Sequence, residues 1–154
     1  MDQRLMDLID MAIQREEEAY SFYMDIYGKV DDAGVKDTIQ WIAAEEKKHR
    51  EFLVNYREGR YGAEGLRMSD VTYYNIAEYQ KEPEVKEGMS SSDVYLVASH
   101  RELRSHRFYS ELANLHAEGE TKSVILKMAN EELKHKEKME YLYANTAFPQ
   151  TSGG

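Results

Sequence analysis

Two pairs of residues in this chain have the type and spacing of metal ligands. Glu46 and His49 form a Glu-x-x-His pair, and Glu132 and His135 form another. Residues three apart on a helix point to the same side and lie about 5 Å from each other, so each pair can present one oxygen and one nitrogen to the same ion. Two further glutamates complete the set of candidate ligands. They are Glu16 and Glu102.

All six candidates interrupt stripes of apolar residues that repeat every three or four positions, which is the pattern of a helix that buries one face. Glu16, for example, stands between Ala12 and Ala19. Burying a carboxylate without a partner is costly, and four converging carboxylates would also repel one another. The stripes hold no lysine or arginine that could neutralise them. Two metal ions with bridging water or hydroxide would balance this charge, so the sequence predicts a dimetal site.

The stripes predict four helices that carry these ligands. A Glu from each of two helices, with Glu-x-x-His from each of the other two, is the pattern of di-iron and di-manganese carboxylate proteins. Carboxylate and imidazole together suit iron and manganese, and the ligands alone do not separate the two metals. The apolar stripe residues are Leu5, Leu8, Ile9, Ala12, Ala19, Tyr23 and Ile26; Ile39, Ile42, Leu53 and Tyr56; Tyr95, Ala98, Tyr109 and Leu112; and Ile125, Met128, Met139 and Leu142.

The connections between the stripes indicate how the helices are joined. Short segments at 28–34 and 116–119 separate the two members of each helix pair, and a long connection from about Gly59 to Ser92 separates the pairs. This order predicts an all-α, ferritin-like antiparallel four-helix bundle with a long crossover between helices 2 and 3. Within the crossover, residues 69–81 are expected to form a short extra helix, and Ser90 is expected to begin the capping stretch of the third helix.

An internal repeat relates the two helix pairs. When the sequence is shifted by 86 residues, 13 of the 40 positions from 12 to 51 are identical to their counterparts from 98 to 137. Glu16 then falls on Glu102, and the first Glu-x-x-His pair falls on the second. We therefore expect a duplicated hairpin, at about residues 5–58 and 93–144, within one domain that spans residues 1–148. The tail at 149–154 is expected to be disordered.

The composition excludes several kinds of protein. The formal net charge of -9 argues against nucleic-acid binding, which requires a basic surface, and against an anionic membrane surface. The lack of cysteine excludes disulfides, thiolate nucleophiles and cysteine-ligated iron–sulfur sites. No apolar run approaches the roughly 18 residues of a membrane span, and the first four residues lack the basic start of a signal peptide. We therefore expect a cytoplasmic protein.

At the candidate ligands, the sequence resembles the rubrerythrin-like branch of the ferritin-like superfamily. The strings REEEAYSFY at 15–23 and AEEKKHREF at 44–52 are typical of that branch, and the resemblance extends from about Leu5 to Tyr143. It implies an antiparallel bundle, often a homodimer, with a non-haem centre of two irons that reacts with dioxygen or peroxide. It also implies that Glu16, Glu46, His49, Glu102, Glu132 and His135 are the iron ligands.

The chain departs from rubrerythrin proper in two respects. Rubrerythrin carries a cysteine-ligated rubredoxin domain, whereas this sequence has no cysteine, so we expect a separate, rubredoxin-like electron donor. Rubrerythrin also has a glutamate three residues after its third-helix ligand, and here that position is Ser105. The resulting site is more symmetric and closer to that of bacterioferritin. Three functions stay open: an oxidoreductase that reduces peroxide or dioxygen, a ferroxidase that handles iron, and a bundle stapled by metal.

Other residues near the ligands have roles that the sequence leaves open. Tyr23 and Tyr109 follow the glutamates of helices 1 and 3 by seven positions, so each can donate a hydrogen bond to a ligand carboxylate or serve only as a core aromatic. His106, Glu45 and Glu131 are further candidates for the site, with a role outside it favoured. Lys136 is assigned to a solvated face, and Glu137 is interpreted as a solvated or capping charge.

Overall fold

A computed structural model describes residues 3–60 and 70–147. This part of the chain contains four α-helices and no strand, which confirms the predicted all-α class. The helices are α1 (Gln3–Tyr27), α2 (Ala33–Arg57), α3 (Ser91–Asn114) and α4 (Glu120–Ala147). None of the helices described is long and apolar enough to cross a membrane.

The chain divides into two compact units, Met1–Gly65 and Leu66–Gly154, and each unit contains one helix pair. We call α1 with α2 the first hairpin and α3 with α4 the second hairpin. The prediction of one domain over residues 1–148 stays a prediction. The expected disordered tail at 149–154 lies outside the described residues.

The first hairpin joins its helices through a connection at 28–32. Asp32 caps the N-terminus of α2, because its carboxylate accepts a hydrogen bond from the Val35 amide at 2.9 Å. Arg50 donates to Glu17 across the two helices at 2.7 Å. The apolar face that the two helices bury contains Ile9, Ala12, Ala19, Tyr23 and Ile26 from α1, and Val35, Ile39, Ile42, Ala43 and Leu53 from α2.

The second hairpin is built in the same way as the first, and more of its helix residues are buried. Ser90 caps α3 by accepting a hydrogen bond from the Asp93 amide at 3.2 Å, as the sequence predicts. His106 Nδ1 on α3 lies 2.8 Å from the Ala129 carbonyl oxygen on α4 and ties the two helices together. Helix α4 is buried on most of its circumference around residues 132–140, where seven of nine positions are buried.

The crossover does not contain the extra helix that the sequence predicted over residues 69–81. Ser69 lies outside the described residues, and residues 70–81, which we call the crossover segment, form an irregular strip with one turn after Ile76. The Tyr74 amide donates to Glu137 at 2.8 Å, and the Ile76 amide donates to Glu140. Because carboxylates of α4 take up these amides, and Asn75 between them has a φ of 55°, the segment cannot form a regular helix there.

Candidate metal centre

The first hairpin brings three of the predicted ligands together. Glu16 on α1 faces Glu46 and His49 on α2, and none of the three is more than 4% exposed. One ligand atom from each lies within 4.8 Å of the others. Across the two helices, His49 Nδ1 lies 3.9 Å from Glu16 Oε1. We call this set the first triad.

The second hairpin repeats the arrangement at the positions that the sequence repeat specifies. Glu102 on α3 faces Glu132 and His135 on α4, and all three are again at most 4% exposed. His135 Nδ1 lies 3.9 Å from Glu102 Oε2 and 4.0 Å from Glu132 Oε2. We call this set the second triad. Each hairpin thus carries two carboxylates and one imidazole in a buried cluster.

The spacing within each triad fits a metal ion. The distances of 3.9 and 4.0 Å are too long for hydrogen bonds between these atoms. Ligands held about 2.1 Å from one ion lie roughly 3.0 Å apart at right angles and roughly 4.2 Å apart on opposite sides, so the observed values fall in the range for a shared cation. Two carboxylates also supply the charge that one divalent ion balances. The residues present therefore fit the metal that the sequence predicts.

The comparison with known protein families agrees with this geometry. The model of the family described as Rubrerythrin matches residues 7–143, which is most of the chain. This chain belongs to the rubrerythrin family. Rubrerythrins are di-iron carboxylate proteins built on the ferritin-like four-helix bundle, so the predicted fold class is confirmed.

One solved structure resembles this rubrerythrin-family chain over nearly its full length. It is that of a hypothetical protein from Pyrococcus furiosus, with 25% sequence identity and a TM-score of 0.66. The match covers 96% of this chain and 92% of the other. No curated protein matches the sequence significantly. The structural likeness supports the fold and gives no information on activity.

Two tyrosines of this rubrerythrin-family chain occupy equivalent buried positions beyond the triad glutamates. Tyr23 is fully buried and meets Phe22 edge to face, with ring centroids 5.5 Å apart. Tyr109 is 2% exposed and meets Phe108 in the same way at 5.2 Å. The pair therefore belongs to the repeated core of both hairpins. A hydrogen bond from either hydroxyl to a ligand carboxylate stays a prediction.

The further candidates near the triads have partners of their own. Glu45 lies 3.5 Å from Lys48, and Glu131 lies 3.1 Å from Lys134, so each carboxylate has a lysine of its own helix. Glu45 also comes within 4.8 Å of His49 through one of its oxygens, whereas Glu131 and His106 belong to no group of adjacent ligands within the described residues. Whether any of the three joins the site stays open.

A second buried cluster, in the second hairpin, was missed by the sequence reasoning. Lys136, which was assigned to a solvated face, is completely buried, and its ammonium lies 2.8 Å from Glu137, 2.6 Å from Glu140 and 2.9 Å from Glu78 of the crossover segment. The solvated role expected for Glu137 is also wrong, because its side chain is 4% exposed. We call these four residues the Lys136 cluster.

In the Lys136 cluster, the lysine ammonium and backbone amides of the crossover segment compensate the charges of the buried carboxylates. Burial alone would lower the pKa of Lys136, but its hydrogen bonds to Glu137, Glu140 and Glu78 outweigh that effect and raise this pKa above its ordinary value. Burial raises the pKa of Glu140, and the hydrogen bonds from Lys136 and the Ile76 amide offset this in part. The lysine therefore stays charged and holds the crossover segment against α4. Only the tertiary position of that segment could have revealed the cluster.

Proposed function

We propose that this chain is a non-haem di-iron oxidoreductase that reduces peroxide or dioxygen. The two triads together would supply four glutamates and two histidines, enough for two irons. The observation that carries the proposal is the recurrence of a complete, buried triad at repeat-related positions of both hairpins. Membership of the rubrerythrin family supports iron as the metal, and manganese is the second choice.

Each residue of the triads has a definite task in this proposal. Two ferrous ions, when bound, supply the two electrons that convert hydrogen peroxide and two protons to two water molecules. The histidines and glutamates would hold the ions in a buried site, because all six side chains are at most 4% exposed. The Tyr23 and Tyr109 hydroxyls would orient the ligand carboxylates by donating hydrogen bonds to them.

The partners are proposed from the same chemistry. The sequence has no cysteine and hence no cysteine-ligated iron to relay electrons, so we propose a separate, rubredoxin-like donor protein. A homodimer is proposed by analogy with the family, and size-exclusion chromatography with light scattering tests it. The alternative activity is ferrous iron oxidation. It is favoured by Ser105, which stands where rubrerythrin proper has a further glutamate, because without that glutamate the two triads are alike.

The metal content of protein purified without oxygen is the first test of this proposal. We expect about two irons per chain, as the ligand count requires. Replacing both Glu46 and Glu132 with Ala should abolish binding, and the Gln variants, which preserve side-chain volume, should weaken it strongly. The matched control replaces two exposed glutamates, Glu18 and Glu111, with Ala and should bind iron normally. Full iron content in the Glu46 and Glu132 double variant would contradict the ligand assignment.

Optical spectra during peroxide addition then separate the functions. A peroxidase oxidises its iron with peroxide and turns over when a reduced donor is supplied. A ferroxidase oxidises added ferrous iron with dioxygen, releases it, and shows no donor-dependent turnover. A protein whose metal only stabilises the fold would give spectra that change with neither oxidant, and this result would reject both activities.

A further inference from the structure

The first hairpin has a cavity that is lined by one residue of its triad, Glu16. The cavity has a volume of about 300 Å³ and is lined entirely by residues of α1 and α2, of which Glu16 is buried and the others are exposed or half-exposed. We call it the Glu16 cavity. Its lining residues are Glu16, Glu17, Tyr20, Ser21, Lys47 and Arg50.

Three of the repeat-related positions of the second hairpin are buried. Leu103 is 8% exposed, Leu133 is 9% exposed, and Lys136 is bound within its own cluster. These three residues take the places of exposed or half-exposed residues that line the Glu16 cavity. The replaced residues are Glu17, Lys47 and Arg50. At these three positions, the second hairpin has two buried leucines and a lysine held in a buried cluster, where the first hairpin has charged side chains that line a cavity.

The chemistry of the lining favours a small neutral molecule that forms hydrogen bonds. The Tyr20 and Ser21 hydroxyls can both donate and accept, as peroxide does. Arg50 and Glu17 neutralise each other at 2.7 Å, and the remaining charges, on Glu16 and Lys47, are of opposite sign. A wall with little net charge does not concentrate a cation such as hydrated ferrous iron.

We propose that the Glu16 cavity is the route by which hydrogen peroxide reaches the metal centre, and that the matching route on the second hairpin is closed. This inference rests on the proposed function, because it presumes a metal centre that reacts with peroxide. It adds that access is one-sided and that Ser21 lies on the path. It also favours peroxide over ferrous iron as the molecule that uses this cavity.

The lack of cysteine allows a direct test, since one introduced cysteine gives a unique thiol. Ser21→Cys places that thiol in the cavity lining. Arg107→Cys places it at the repeat-related, exposed position of the second hairpin, and Ser123→Cys gives the same substitution at an exposed site on α4. Each metal-free variant is alkylated with iodoacetamide or with the bulkier N-phenylmaleimide and then loaded with metal without oxygen. Metal content and melting temperature verify that the site and fold are intact.

Two measurements report whether an adduct blocks the route. The first is the rate at which peroxide oxidises the ferrous protein, which we expect to fall about tenfold or more with the bulky adduct at position 21 and less with the small one. The second is the water-proton relaxation of Mn(II)-loaded protein, which reports access of water without any reaction. At position 21, we expect the relaxation to fall more with the bulky adduct than with the small one. At positions 107 and 123, we expect both the oxidation rate and the relaxation to stay nearly unchanged.

The outcomes distinguish this inference from the proposed function. Equal peroxide rates and equal relaxation for adducts at all three positions would overturn the route and leave the proposed activity standing. If adducts at positions 21 and 107 slow the peroxide reaction equally, the proposal that access is one-sided is overturned. If the unlabelled variants bind iron but react with neither peroxide nor dioxygen, the proposed function fails. Relaxation that still falls only for the adducts at position 21 would then support the opening itself.

Discussion

The two hairpins share a triad but differ in the surroundings of the residue after the histidine. After His49 in the first hairpin, Arg50 pairs with Glu17 at a solvent-accessible site. After His135 in the second hairpin, Lys136 is completely buried and pairs with Glu137 and with Glu140. The same part of the repeat is therefore a surface in one hairpin and an interior in the other.

The difference shows that a helix does not determine by itself which of its charged residues are buried. Glu51 and Glu137 are identical residues at matching positions, yet Glu51 is exposed and Glu137 is buried. The crossover segment makes the difference, because its backbone amides and Glu78 contact α4. Two glutamates that are equivalent in the repeat therefore have different surroundings, since Glu51 faces solvent and Glu137 belongs to a buried cluster.

The strongest test of this comparison replaces the basic residue that follows the histidine in each hairpin. Lys136→Met leaves the carboxylates of Glu137 and Glu140 buried without their cation, so we expect a loss of about 3–5 kcal/mol in the free energy of unfolding. Arg50→Met, at the matching position, should cost at most about 1 kcal/mol because its ion pair is exposed. Urea unfolding of the metal-free proteins measures both, since bound metal would add its own stabilisation. Similar losses for the two variants would contradict the comparison.

Exchanging residues between the repeats gives a test of intermediate size. Glu140→Val introduces the residue found at the matching position 54 and removes the acceptor of the Ile76 amide. We expect a loss of about 1–3 kcal/mol and faster hydrogen exchange at Ile76. Val54→Glu, the reverse exchange at a half-buried site, is the control and should leave exchange in the crossover segment unchanged. Unaltered protection of Ile76 in Glu140→Val would show that the segment is held by other contacts.

The smallest effect is expected for an exchange at the surface of the first hairpin. Glu17→Leu introduces the residue found at position 103 and removes the ion pair with Arg50. Because both side chains are more than two-fifths exposed, the free energy of unfolding should change by no more than about 0.5 kcal/mol. Thermal and urea unfolding check this. A loss as large as that of Glu140→Val would mean that the first hairpin also depends on its charged surface.

Much of the fold and the composition of each triad could be predicted from the sequence. The four helices are predicted by apolar periodicity, and the positions of the triads by the interruptions at Glu16, Glu46 and His49 and their repeats. Local spacing determines these features, because residues three or four apart on a helix share a face. The binding of metal by the triads stays a prediction.

The Lys136 cluster and the shape of the crossover segment could not be predicted in the same way. The periodicity of α4 places Lys136 and Glu137 beside its apolar stripe, and a charge in that position is ordinarily solvated. Their burial depends on residues 74–78, about 60 positions earlier in the chain. The prediction of a helix at 69–81 is wrong for the same reason, since the Tyr74 and Ile76 amides bond to distant carboxylates rather than to the preceding turn.

The way in which α4 holds the crossover segment also limits how this sequence can vary. Glu137 and Glu140 bind main-chain amides, which every amino acid except proline provides. Positions 74 and 76 can therefore change their side chains during evolution without loss of the attachment, and proline is the residue that selection should exclude there. Conservation in relatives that keep this attachment is accordingly expected on the acidic side of the contact and not on the segment that it holds.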